Sequence, residues 1–104
     1  MTRLFAIALA LTLGLSACAT AARYTLQDRF RAIGIPAETA DCMVGELDQR
    51  LSSEDLQDLA RYTLGLARAD STFAAIRSLM RIDNPAAVRA VGASGVACAT
   101  GFRL

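Results

Sequence analysis

The chain of 104 residues contains no histidine, no lysine and no tryptophan, and only two prolines. Without histidine it lacks the side chain most used to move protons near neutral pH and the commonest metal ligand. Activation of a serine by an imidazole is therefore excluded, and so are the usual histidine-containing zinc sets. Every positive charge is an arginine, and eleven of them against ten acidic residues leave a net charge of +1. That balance argues against a protein that tracks nucleic-acid phosphates, which would carry a basic stripe. Aromatic residues make up only 6% of the chain. No stretch alternates apolar and polar residues with the period of a strand, so a β-sandwich is disfavoured and a helical domain is expected. The length allows one domain.

One long apolar run is present, at the start. Arg3 supplies a positive charge, an uncharged and almost wholly apolar run extends from Leu4 to Leu13, and Leu15 prolongs it past Gly14. Small residues follow. This is the three-part pattern of a secretory signal. A helix needs about 20 apolar residues to cross a bilayer core, so the run is too short for a stable transmembrane anchor.

Leu15-Ser16-Ala17-Cys18, at the end of that run, resembles the lipobox of bacterial lipoproteins: a Leu, two small residues and a Cys. The resemblance covers about the first 18 residues. It implies that the Cys18 sulfur receives a diacylglyceryl group, that cleavage precedes Cys18, and that the new amino terminus is acylated. Ala17-Cys18-Ala19 and Ala19-Thr20-Ala21 also fit conventional small-residue cleavage. Each buried methylene contributes about 0.8 kcal/mol, so two or three acyl chains would hold the protein permanently where one myristoyl chain binds reversibly. Ala19, rather than Asp, follows the Cys. In lipoproteins of double-membraned bacteria this implies the periplasmic leaflet of the outer membrane. The expected organisation is a signal peptide over 1–17, lipidated Cys18 with a short tether over 18–23, and a helical domain over 24–104.

From Tyr24 onward the apolar residues recur at helical spacing. A first helix is expected over about Thr25–Ile33, with Leu26, Phe30 and Ile33 on one side and Gly34 where a C-terminal cap belongs. Pro36 suits the first turn of a second helix, which runs to about Leu51 with Ala40, Met43, Val44, Leu47 and Leu51 as its apolar stripe. "LSSEDL" marks a third start, Ser52 capping with Asp55 three residues on. Its expected face is Leu56, Leu59, Ala60, Thr63, Leu66 and Ala67. Asp70 or Ser71 restarts a helix carrying Phe73, Ile76, Leu79 and Met80, and "DNP" at 83–85 ends it. Pro85 opens a last helix toward Cys98. Gly92 and Gly95 either weaken that helix, at about 1 kcal/mol each, or permit close packing. The expectation is an all-α, compact bundle of four or five short helices, with no repeat and no internal boundary.

Lipidation of Cys18 would leave Cys42 and Cys98 as an even pair in an oxidising compartment. Their separation is not that of C-x-x-C chemistry. A structural disulfide is expected; two buried free thiols or a redox-active pair are the alternatives. On the proposed helix Cys42 lies opposite the Met43 stripe, in line with Gly45 and Gln49, so the segment carrying Cys98 is expected to cover that side. Such a cross-link closes a long loop and would contribute about 4 kcal/mol by chain-entropy arithmetic, a large share of the 5–15 kcal/mol typical of a domain. "CM" early, "LSxxxL" in the middle and "DNP" before a late Cys resemble small two-cysteine helical proteins of bacterial envelopes. That resemblance implies the same fold and disulfide and adds no activity.

Acidic residues concentrate over 38–58, where Glu38, Asp41, Glu46, Asp48, Glu54, Asp55 and Asp58 face one base, Arg50. Arginines dominate from Arg61 onward. Solvated helix faces and attraction between the two halves account for this. Nothing matches a calcium loop, and "GASG" lacks the strand a phosphate loop needs. No catalytic residue, cofactor or metal ligand is expected, and the chain is read as not an enzyme. The expected function is a membrane-anchored envelope protein, attached through Cys18, whose helical domain binds a protein partner; the alternative is a module for a small apolar ligand or lipid.

Overall fold

The computed structural model describes residues 20–100. The expected signal peptide, Cys18 and the last four residues lie outside them. The described chain is all-α, with no strand, and its five helices form a compact bundle. They are α1 over 20–32, α2 Ala37–Arg50, α3 Ser53–Thr63, α4 Thr72–Leu79 and α5 Pro85–Thr100.

Helix α1 is already formed at Thr20, five residues before the expected start. Residues 20–23, read from the sequence as tether, are helical, and Ala22 among them is buried. The reason is packing: Ala22 continues the stripe of Leu26, Phe30 and Ile33 at i+4 spacing, all of it in the core. The helix ends in a Schellman motif. Ile35 N–H donates to the Phe30 carbonyl at 2.9 Å, Gly34 N–H donates to the Arg31 carbonyl at 3.2 Å, and Gly34 takes φ 112°. Only glycine adopts that backbone without a Cβ penalty. Ile35 and Phe30 are both buried, which is the apolar contact this motif usually carries.

Pro36 flanks α2, whose stripe of Ala40, Met43, Val44 and Leu47 is buried, with Leu51 just beyond. Ser52 caps α3, its Oγ accepting from Asp55 N–H at 3.2 Å. Helix α3 stops at Thr63, so Leu66 and Ala67 are not on its face as expected. Leu64, Gly65 and Leu66 N–H donate to the carbonyls three residues back in a tightened last turn, and Arg29 reaches this end from α1. Its Nε and Nη2 donate to the Thr63 carbonyl at 3.2 and 3.1 Å, and Nη2 also donates to the Leu66 carbonyl at 3.0 Å. The Thr63 carbonyl, which also accepts from Leu66 N–H at 3.2 Å, and the Leu66 carbonyl just beyond the helix thus share a charged donor from another helix.

Ser71 caps α4 by accepting from Ala74 N–H at 3.1 Å, and α4 ends at Leu79, ahead of the "DNP" expected to stop it. Asn84 has another task. Its Oδ1 accepts from Ala87 N–H at 3.2 Å, capping α5, while its Nδ2 donates to Asp55 and Asp58 at 3.0 and 3.1 Å. Two carboxylates of the acidic segment are therefore structural, tying the start of α5 to α3. Two more pair with arginines: Asp48 with Arg23 at 3.7 Å, and Glu46 with Arg50 at 3.3 Å.

The helices alternate in direction. Arg23 of α1 meets Asp48 near the end of α2, so these two are antiparallel. Arg50 of α2 shares a surface depression with Ala86 and Ala90 near the start of α5, while Cys42 meets Cys98 near its end. Hence α5 is antiparallel to α2 and parallel to α1. It packs chiefly on α2 and also on α3 and α4. Thr20 therefore lies at one end of the bundle, and the Gly34 turn lies at the other with the close of α5.

Candidate functional site: an apolar groove between two helices

Cys42 and Cys98 are joined, with the sulfurs 2.08 Å and the Cα atoms 5.7 Å apart. The bond is not roofed over. Cys42 is exposed, Gln49 is exposed and Gly45 faces open space. The expected second layer over that side of α2 is absent because α5 crosses along the flank of Cys42 and Arg50 instead. With Cys42 exposed and Cys98 half-buried, the disulfide reads as a staple between α2 and α5. Cys18 lies outside the described residues.

The residues that leave apolar surface in water are elsewhere. On α4 the buried positions are Ala75 and Leu79, continued by Ile82. Phe73 and Met80, expected with Leu79 in one core stripe, lie 70% and 38% exposed. The stripe is displaced by one helix face: two apolar rows run along α4, and the core takes Ala75 and Leu79 while Ile76 and Met80 lie against the glycines of α5. Opposite, α5 shows Gly92, Gly95, Val96 and Ala99, and it carries no charged residue from Ala90 to Thr100. Between the two helices lies a groove of about 320 Å³, walled by Phe73, Ile76 and Met80 and floored by the small residues of α5. No polar side chain other than the glycine backbone enters it.

The glycines explain how close the helices come. A Cβ built on Gly95 would stand 3.2 Å from Ile76 Cγ2, and one on Gly92 would stand 3.4 Å from Met80 Cε. Gly95 thus permits the close approach that the sequence left open. The rim is one-sided. Arg77 lies with its guanidinium 5.8 Å from the centre of the Phe73 ring, and it shares a neighbouring surface depression with Arg81, which stands just past the end of α4. Among the described residues neither is within ion-pair distance of a carboxylate.

A shallower depression of about 310 Å³ lies between α1 and α3, lined by Ala22, Ala60, Arg61 and Leu64 among others. Tyr62 is engaged structurally, its hydroxyl donating to the Ser78 carbonyl at 3.0 Å. Tyr24 is exposed. Among the described residues no group of three or more acidic, Cys or His residues could hold a metal, and no helix is long and apolar enough to cross a membrane. Every buried side-chain polar atom of these residues has a hydrogen-bond partner.

No protein-family model matches the chain, and neither a curated protein nor a solved structure matches it. The groove therefore has to be read from its own chemistry. Its surface is apolar and open along its length, which suits a side-chain row from another molecule. It offers no convergent polar groups of the kind that orient a small ligand or a reacting bond. The sequence signal for it was available: the second apolar row on α4, and eleven residues of α5 without charge.

Proposed function

We propose that this chain is a lipid-anchored envelope protein whose helical domain is a non-catalytic protein-interaction module facing the periplasm. The observation that carries the anchoring is Leu15-Ser16-Ala17-Cys18 at the end of a signal-like apolar run. Thr20, two positions after Cys18, is already helical, so an acylated Cys18 would hold the domain close to the headgroups. The interaction role is supported by the α4–α5 groove, where Phe73, Met80 and Val96 form a continuous exposed apolar surface, whereas Tyr24 and Leu64 are exposed singly. Ala19 after the Cys favours the outer membrane's periplasmic leaflet.

A second reading, a module for a small apolar ligand or lipid, draws on the same groove. Its volume is at the lower limit of the roughly 300–1,000 Å³ of ligand pockets, and it lacks the polar groups that fix a ligand's orientation. The protein-binding reading is the better supported.

Mass analysis of the protein from washed membranes tests the anchor. The expected amino terminus is Cys18 bearing two or three acyl chains, and Cys18→Ser should release the protein from the membrane fraction. An unmodified Cys18, or release of the natural protein by a carbonate wash, overturns the anchoring.

A further inference from the structure

We propose that the groove between α4 and α5 receives an amphipathic helix, acidic along one flank, presented by another envelope protein. The proposal rests on the interaction reading above and gives that reading a surface and a partner chemistry. From Phe73 to Met80 the wall of the groove spans eight residues of helix and turn, about 10 Å between the first and the last. That length takes two turns of a docked helix, offering apolar residues at i, i+3 or i+4, and i+7. The floor of Gly92, Gly95 and Ala99 has no bulky side chain, so an incoming helix can seat its apolar row deeply between α4 and α5.

Charge selects the kind of helix. Arg77 stands against Phe73 on the α4 side, with Arg81 beside it in the neighbouring depression, and neither has a carboxylate partner among the described residues, while the α5 side bears no charge from Ala90 onward. The acids nearest in sequence, Asp70 and Asp83, lie beyond the two ends of α4. A partner with Asp or Glu on one flank and neutral residues on the other matches this asymmetry, and such matching sets both encounter and register. A second copy of the chain fits less well, since the same face supplies only apolar residues and arginines and no carboxylate to meet Arg77 and Arg81.

Position argues against the anchoring membrane as the occupant. Phe73, Val96 and Ala99 lie toward the end of the bundle shared with the Gly34 turn, whereas Thr20, two positions after Cys18 in the sequence, lies at the other end. The 13 described residues of α1 separate those ends by about 20 Å. Phe73, the most exposed side chain of the groove, is thus remote from Thr20.

The test places the photocrosslinking residue p-benzoylphenylalanine at Phe73 in the full chain, in intact cells, and separately at Tyr24. These side chains are equally exposed, at 70% and 69%. The expected adduct from position 73 maps by mass spectrometry to a segment of a second protein with the apolar spacing above and acids on one flank. Arg77→Glu combined with Arg81→Glu should lower its yield about tenfold, equivalent to about 1.4 kcal/mol. Electrophoresis without reductant verifies that each variant has closed its Cys42–Cys98 bond and folded. An adduct to lipid, to a second copy of the chain or to a segment without acids overturns the proposal, as does a yield that the double substitution leaves unchanged. Protein adducts from position 24 but not from 73 sink the groove and leave the interaction reading standing; none from either position sinks both.

Discussion

Phe30 on α1 and Phe73 on α4 are the same side chain on neighbouring faces of short helices, yet one is wholly buried and the other 70% exposed. The cause lies in what each meets. Phe30 stands where α1, α2 and α3 converge, among Leu26, Ile33, Met43, Leu47 and Leu59, all fully buried. The chain reverses there through Gly34, and Arg29 holds the end of α3 by its carbonyls. Phe73 faces a helix that presents glycine and alanine. Large side chains from three helices can interdigitate into a closed core; one row of large residues over a smooth helix leaves a trough. Apolar content alone does not decide burial, and the α4–α5 face stays open for want of a matching row.

That contrast can be broken most directly at the two phenylalanines. Phe30→Ala should cost about 3–5 kcal/mol in chemical denaturation, as deletion of a buried aromatic usually does. Phe73→Ala should change stability by no more than about 0.5 kcal/mol. Comparable losses at both positions would mean that the groove is part of the core. The disulfide comes next. Cys42→Ser together with Cys98→Ser frees a separation of 56 residues and should lower stability by up to about 4 kcal/mol. Reduction of the natural protein should shift the denaturation midpoint in the same direction; a midpoint that did not move would show that the α2–α5 contact needs no staple. Arg29→Ala should cost about 2 kcal/mol, since it strips a charged donor from two carbonyls. Arg29→Lys should recover only part of this, because an ammonium lacks the planar fork that serves both.

Much of the closed region could be read from the sequence. The stripes of α1 and α2, the Gly34 cap and the Ser52 cap depend on residues within one or two turns, and short-range chemistry fixes them. What could not be read depends on partners far along the chain. Arg29 reaches the end of α3 from 34 residues away, and nothing near Leu66 announces it. Asn84 looked like a helix stop and is the link to Asp55 and Asp58, a role that requires α3 and α5 to be side by side. The two apolar rows of α4 are equivalent in the sequence until the core takes Ala75 and Leu79 and leaves the Phe73 row beside α5. The same ambiguity hid the candidate groove, whose floor resembles a run of poor helix formers until α4 is laid against it.

The smallest expected effect examines that floor. Alanine in place of a glycine within a helix gains about 1 kcal/mol, if the new methyl has room. At Gly92 the nearest atom is Met80 Cε at 3.4 Å, the far end of a flexible side chain, so Gly92→Ala should stabilise by somewhat under about 1 kcal/mol. At Gly95 the methyl would meet Ile76 Cγ2 at 3.2 Å. Ile76 is β-branched and stiff about χ1, so α4 itself must give way, and Gly95→Ala should be close to neutral. Paired thermal or denaturant melts resolve the difference. Should both substitutions stabilise equally, α4 is not held against α5 by close approach at Gly95. The groove would then be a loose seam, and the contrast between a closed core and a built trough would lose its basis.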